Sequence, residues 1–496
     1  MRQVITLFEG ETLRVEKLHS RSMPYPGRPL FEQDDIARRL CDMEFPRTDF
    51  AFDRGSRLGA DDDEDDDDGD GEKDSGATRT VATLSRGEIR VANLVGSFSL
   101  DAAIQVEILP KVRWATGDGV PEGGVPDDVA LARASMRRMW HYATDLRTRE
   151  NNEAVDNEVV RNLPFHEWLL RRFVSDLDEL VTKGLRSKYV EVEESLPVLR
   201  GRLVVGENIR RNSFNLARFH CRFDEFSLSR PENRLIRSAV DIVRRETNDP
   251  DTRRRASALR DLLQPIPPSS NTALDFALWA RDRSMLHYRS IRQTCEWLLT
   301  RSAAAPIVGR SRVVGRLVRM NDVFERYVQR WLDERCALGF DIVTTAPRKK
   351  MLAWTAVGRE RLLNMKPDIV IQKKQNGPPA VAVLDMKWKD RTAKTPISRE
   401  DLYQLFAYAK TYLADGNGGG GGGKLLAAVF PTANVNARPT EFRFEGLPEL
   451  RCFCLPFLLP VLANPQQGPS PMWQEGLLVD EALLDPIGLG AARAVG

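Results

Sequence analysis

Apolar and polar residues change their rhythm twice along this chain. Over residues 1–120 they alternate: VITLFE near the start, then Thr80–Leu84, Ile89–Leu94 and Ser97–Leu109. Successive strand side chains point to opposite faces, so this is the pattern of half-buried strands. One short helix is expected near Asp34–Met43. From Val129 the period becomes helical, predicting helices at 129–147, 157–184, 231–247, 250–264 and 284–303, with Val190–Val205 extended. Beyond about 311 the two rhythms mix. Met320–Cys336 puts Val323, Phe324, Tyr327, Val328 and Trp331 at helical spacing. Strands are expected within 341–357 and at Ile369–Ile371, Ala380–Leu384 and Leu425–Phe430, and a helix at Glu400–Leu413. The expectation is a multidomain α+β and α/β chain. It has a β-rich N-terminal domain (1–120), a mainly α middle region (121–310), a C-terminal α/β domain (311–464) and a tail (465–496).

Length and composition agree with several domains, since 496 residues at 42% hydrophobic content support more than one core. The net charge of +2 hides an asymmetry: residues 61–74 hold eleven acids and one lysine, a net of −10, which leaves +12 on the rest. Charges at that density cannot be buried together, so 54–76 is expected to be a disordered acidic insertion. The basic remainder suits a polyanionic partner such as DNA. Six scattered cysteines form no C-x-x-C pair and no zinc spacing with the five histidines, as expected of reduced thiols in a cytoplasmic protein. The first residues lack the apolar core of a signal peptide. The longest apolar tract, Leu455–Leu462, contains Pro460 and is too short to span a bilayer, so no membrane association is expected. Gly418–Gly423 and Lys424 approach a phosphate-loop pattern, but Leu425 stands where the magnesium-binding hydroxyl belongs, and the tract follows a helix and precedes a strand. Nucleotide binding is excluded there.

Candidate chemistry gathers around a hairpin. Asn376-Gly377 between two apolar runs is a turn signal, and a turn centred there sets Asp368 opposite Asp385. Opposed residues of an antiparallel pair have Cβ atoms about 4.5–5.5 Å apart. Pro378 and Pro379 cannot donate ladder hydrogen bonds, and a bulge would shift the register by one. Lys387 shares the face of Asp385. Two acids and a lysine at one strand end suit a metal site with a cationic helper; the plainer alternative is a surface hairpin with acidic ends. Ser398, followed three residues later by Asp401, marks a helix start. That helix carries Leu402, Leu405, Phe406, Ala409 and Leu413 as a core stripe, with Gln404 and Tyr408 sharing another face.

Pro367-Asp368, Asp385-x-Lys387 and Gln404-x-x-x-Tyr408 together resemble the core of the PD-(D/E)XK nucleases, a small mixed sheet flanked by helices. In that likeness Glu325 matches a further acid on the helix before the sheet; an ordinary solvated glutamate is the alternative. Wider stretches are similar to the McrC family, the nuclease subunits of McrBC modification-dependent (5-methylcytosine) restriction systems: Val106–Lys111, Leu199-Arg200-Gly201-Arg202, Cys221–Arg237 and Met320–Val328. The resemblance implies a C-terminal restriction-endonuclease-like domain that cuts DNA with Mg²⁺ or Mn²⁺. Asp368, Asp385 and the Met386 carbonyl would hold the ion, and Lys387, Gln404 and Glu325 would complete the catalytic set. It also implies a hetero-oligomer with an McrB-like AAA+ GTPase that the chain stimulates through its N-terminal and middle regions. Asp224, Glu225, Glu232, Asn233 and Arg234 are either part of that contact or a capped helix start with internal ion pairs, the second being preferred. Two other classes stay open: a catalytically silent DNA- or partner-binding adaptor, and a stand-alone structure-selective nuclease.

Overall fold

The N-terminal sheet is built from β1 (Gln3–Phe8), β2 (Leu94–Ser99) and β3 (Ile104–Leu109), and β2 and β3 are buried on both faces rather than half-buried as their alternation suggests. The computed structural model describes residues 3–18, 33–46, 78–100, 104–111, 128–143, 163–280, 283–299, 307–308, 311–312, 315–335, 340–343, 350–354, 361–373, 380–389, 397–413, 424–432, 434, 436–445, 447, 450–462 and 473–477. The acidic run 54–76 and the glycine tract 416–423 lie outside the described residues. β1 and β3 run parallel, with Phe8 opposite Leu109, and β2 pairs antiparallel with β3. Ile5, Leu7, Ile36, Leu40, Val106 and Ile108 share one core. Glu107, fully buried on β3, accepts from Arg133 Nε and Nη2 at 2.9 and 2.7 Å and from the Phe165 N–H at 2.8 Å. Arg133 belongs to helix α1 (Asp128–Ala143). A buried carboxylate is tolerable when paired this fully.

The chain divides into two units, the smaller His166–Ser302 and the larger Arg2–Phe165 with Ala303–Gly496. The smaller is mainly helical, entered through α2 (Phe165–Lys183). It also holds a three-stranded antiparallel sheet of β4 (Lys188–Leu196), β5 (Arg202–Leu203) and β6 (Phe219–Ser227), with β6 central, and the short α3 (Val205–Asn212). Val190–Val205 is therefore not one extended run; it breaks between β4 and β5. Helix α4 (Pro231–Glu246) starts on a proline, whose missing N–H is no loss there. Asn233 donates to the Arg186 and Leu228 carbonyls at 2.7 and 2.9 Å and accepts from the Tyr288 hydroxyl at 2.9 Å. Glu232 pairs with Arg230, and Arg234 with Asp275. These three residues lock α4 to its surroundings, while Asp224 and Glu225 stand exposed on β6.

In the larger unit β7 (Gly315–Arg319) pairs antiparallel with β2, joining the N-terminal sheet, and leads directly into α5 (Met320–Arg335). The stripe read from the sequence is buried on α5: Val323, Phe324, Tyr327, Val328 and Trp331. Its aromatic rings pack on Phe457, with centroids 5.9, 5.6 and 5.4 Å away for Phe324, Tyr327 and Trp331. Phe457 lies on a seven-stranded mixed sheet of β8 (Phe340–Val343), β9 (Ile369–Lys373), β10 (Ala380–Met386), β11 (Leu425–Thr432), β12 (Thr440–Phe442), β13 (Arg451–Leu462) and β14 (Trp473–Leu477). β8, β9 and β10 are antiparallel in turn, while β10, β11 and β13 are parallel. β12 and β14 share the far edge of β13, so part of the expected tail is strand. Helix α6 (Arg399–Tyr408) connects the parallel pair β10 and β11. Leu405, Tyr408 and Ala409 pack with Val370, Val383 and Leu426. Phe406, expected in that stripe, is 37% exposed and rests against Phe444 at 5.2 Å, whereas Tyr408 is buried. No described helix is long and apolar enough to cross a membrane.

Candidate active site

The hairpin register decides which side chains meet. Ile369 lies opposite Leu384, Val370 opposite Val383 and Ile371 opposite Ala382. A one-residue slip falls between Ile371 and Gln372, on the turn side, and leaves the other end untouched. One step further in the same register, Asp368 comes opposite Asp385. The Met386 N–H donates to Asp368 Oδ2 at 2.6 Å and ties the two strand ends together. Val370 and Val383 face α6, so alternation turns Asp385 and Lys387 the same way.

Lys387 then sits between strand and helix. Its Nζ lies 2.8 Å from Asp385 Oδ2 and donates to Gln404 Oε1 at 2.5 Å. Gln404 Nε2 donates to the Tyr408 hydroxyl at 3.1 Å, and that hydroxyl donates to the Lys366 carbonyl at 3.1 Å. The chain of contacts leaves β10, crosses α6 and returns beside Asp368. In sequence terms Asp401 is a capping-box acid. Its N–H does donate to Ser398 Oγ at 3.2 Å, but its carboxylate lies 3.1 Å from Lys389 Nζ and 3.8 Å from Lys387 Nζ. The signal was present: positions 401, 404 and 408 lie on one helical face.

Charge is concentrated here. Asp385 is 2% exposed. Loss of hydration pushes the Asp368 carboxyl well above the usual range, with Asp385 and then Glu325 adding to the rise. Part of Asp368 stays open to solvent, yet protein atoms crowd it enough for burial to dominate. Burial also raises Asp385, against the pull of Lys387. For Lys387 burial works against the charge, but Asp385, Asp368 and Asp401 outweigh it and hold the ammonium above the ordinary lysine range. Lys387 Nζ is the one close partner of the buried Asp385 Oδ2 among the described residues, an ion pair that leaves the oxygen's second lone pair unfilled.

Two repelling carboxylates and an under-bonded buried oxygen are short of positive charge. A hard divalent ion that prefers oxygen ligands matches that deficit. Asp368 and Asp385, with the main-chain carbonyl of Met386 between Asp385 and Lys387, are the donors that fit. Among the described residues no three His, Cys, Asp or Glu side chains converge into a cage. Glu325, half-buried on α5, acts on Asp368 through its charge and adds no third carboxylate ligand in this arrangement.

The sequence matches the model of a family described as McrBC 5-methylcytosine restriction system component over residues 89–418. Among solved structures the chain is similar to one in a refined half-complex from a tetradecameric assembly of Thermococcus gammatolerans McrB AAA+ hexamers with bound McrC. There the TM-score is 0.62 and identity 20%, over 91% of this chain and 94% of that one. A chain of the cryo-EM structure of the Thermococcus gammatolerans McrBC complex matches at TM-score 0.44 and 20% identity, over 66% of this chain and 87% of that one. No protein of curated function matches. At 20% identity the first structural likeness is one of fold.

Proposed function

Because the chain belongs to the McrBC 5-methylcytosine restriction system component family, we propose that it is the McrC-type subunit. In this reading it is a metal-dependent PD-(D/E)XK endonuclease that cuts DNA within a cytoplasmic complex driven by an McrB-like AAA+ GTPase, whose GTP hydrolysis it stimulates. The observation that carries the reading is the meeting of Asp368, Asp385, Lys387 and Gln404 at one end of the mixed sheet.

Asp368 and Asp385, with the Met386 carbonyl, would hold Mg²⁺, or Mn²⁺ with its similar taste for oxygen ligands. When bound, the ion supplies Lewis acidity, offsetting phosphate charge and lowering the pKa of water. Lys387 offers a fixed positive charge to phosphate oxygens, worth most where water is excluded. Gln404 aims that ammonium, and Tyr408 holds Gln404 by anchoring to Lys366. Glu325 offers a carboxylate to water on the Asp368 side. Docking to the GTPase is assigned to the smaller unit, which leaves Tyr189, Phe214, Leu216 and Phe226 in solvent. Large exposed apolar side chains of this kind mark partner surfaces. The solved relative comprises McrB AAA+ hexamers with bound McrC, and an equivalent assembly is proposed here.

The test is Asp385→Asn in the full chain. Cleavage of methylated DNA in Mg²⁺ should fall to background, while association with the GTPase and stimulation of GTP hydrolysis persist. A parent chain that assembles but never cuts in Mg²⁺ or Mn²⁺ supports the adaptor reading instead. Cutting that is indifferent to the GTPase supports the stand-alone nuclease.

A further inference from the structure

The proposed site has a second support, on the side of the sheet away from Gln404. Lys387 faces α6, so its neighbour Trp388 turns the other way. The Trp388 ring packs on Phe324 of α5, with centroids 5.2 Å apart. Its indole N–H donates to Glu9 Oε1, a contact between residues 379 positions apart. Glu9 follows β1 directly, and Lys111 lies just beyond β3. Because β1 and β3 run parallel and in step, their ends emerge together. The Lys111 N–H donates to the same Glu9 Oε1 at 3.2 Å, and the Glu9 N–H donates to the Leu109 carbonyl at 2.9 Å.

Glu9 is costly in this place. It is 1% exposed, and its Oε2 has no hydrogen-bond partner. Burial raises its pKa, opposed by Lys111 and by the Trp388 hydrogen bond. Packing alone would be better served by an apolar side chain, since a bare buried polar oxygen is destabilising. What the carboxylate does supply is a directed acceptor for the residue next to Lys387.

We propose that Glu9 is a positioning residue: by holding the Trp388 indole it fixes the strand end that carries Lys387, and so makes the N-terminal sheet part of the cutting machinery. This rests on the nuclease reading above. A second link has the same origin, because β7 of that sheet runs straight into α5, which bears Glu325 and Phe324. One sheet thereby sets the positions of groups on both sides of Asp368.

The test uses the full chain with its GTPase partner, Mg²⁺ and methylated plasmid. Glu9→Ala and Trp388→Phe should each lower kcat about 10- to 100-fold, as the loss of outer supports of a metal site does, with KM for DNA unchanged. Glu9→Gln keeps an acceptor for the indole and resembles the protonated acid, so it should recover most of kcat. In metal-free protein, hydrogen exchange of the 385–389 amides should quicken in Glu9→Ala and Trp388→Phe and return to the parent rate in Glu9→Gln, while peptides from 231–246 stay unchanged. Parent-like kcat and exchange in Glu9→Ala overturn the proposal, as do equal losses in Glu9→Ala and Glu9→Gln, or faster exchange throughout the chain. If the parent never cuts but the local exchange pattern holds, the nuclease reading fails and the indole clamp stands.

Discussion

An aspartate in water gives up its proton near pH 3.9, but Asp368 and Asp385 keep theirs to higher pH because both are stripped of water and Asp385 bears on Asp368. Their folded pKa values exceed the unfolded ones, so the native chain binds more protons. The stability this gives is fully present below the unfolded values and is lost as pH rises from them through the folded values. The metal-free chain should therefore melt at lower temperature as pH climbs from about 4 towards neutrality. Asp176, pushed up to about 6 by burial in the smaller unit, adds to the same slope, so the site is read by difference. Asp368→Asn should flatten the slope and raise the metal-free melting temperature at pH 7, by about 1–2 °C for each kcal/mol of repulsion relieved in a unit of this size. Mg²⁺ should act in the opposite sense, since it needs ionised carboxylates. It should stabilise the parent more at pH 8 than at pH 6 and leave Asp368→Asn unmoved. Thermal melts with and without the ion at three pH values check both signs.

Elements divide into those whose cause is local and those whose cause is distant. Gly201 belongs to the first kind: it turns the chain between β4 and β5 at φ +68°, and an added Cβ would lie 2.5 Å from the Arg222 carbonyl and 2.7 Å from Phe223 Cβ. Gly201→Ala should cost more than about 1 kcal/mol. Faster hydrogen exchange over β4 to β6, with the 369–386 hairpin unaffected, is the expected sign; unchanged exchange would show that the turn tolerates a side chain. Local causes were also legible in the β9–β10 hairpin, where Asn376-Gly377 foretold the register and the bulge fell on the harmless side. The α5 stripe and the Ser398 cap were legible for the same reason. β6 has no clean alternation to show it, since its buried residues His220, Cys221 and Phe223 are mixed with Arg222, Asp224 and Glu225. Phe406 left its expected place in the stripe for a half-exposed one against Phe444, while Tyr408, expected beside Gln404, is buried with its hydroxyl on the Lys366 carbonyl. The pairing of β7 with β2 and the reach of Glu9 to Trp388 join distant segments, and no local pattern encodes either.

At the scale of the whole molecule, cutting and partner contact are assigned to different units, and that separation can be tested. The larger unit holds the carboxylates and Lys387. The smaller leaves Phe214 and Leu216 103% and 87% exposed, and its exposed Tyr189 and Phe226 rings pack edge-on at 5.5 Å across β4 and β6. Side chains this open contribute little to the fold, so Phe214→Ser with Leu216→Ser should leave the melting temperature nearly unchanged, within about 0.5 kcal/mol of stability for each surface substitution. If they anchor the GTPase, losing them should cost about 2 kcal/mol of association, roughly a 30-fold rise in Kd, as buried apolar anchors do. Sedimentation of the chain with the GTPase and a non-hydrolysable GTP analogue measures that shift. Asp385→Asn should behave in the reverse manner, with association intact and cleavage gone. Mixed with the GTPase at a concentration between the parent's Kd and the raised one, the two variants should not restore cutting, because the chain that binds lacks the carboxylate and the chain with the carboxylate stays mostly unbound. Association of the Phe214 and Leu216 variant at the parent's Kd would move the docking surface off these side chains and leave the nuclease assignment untouched.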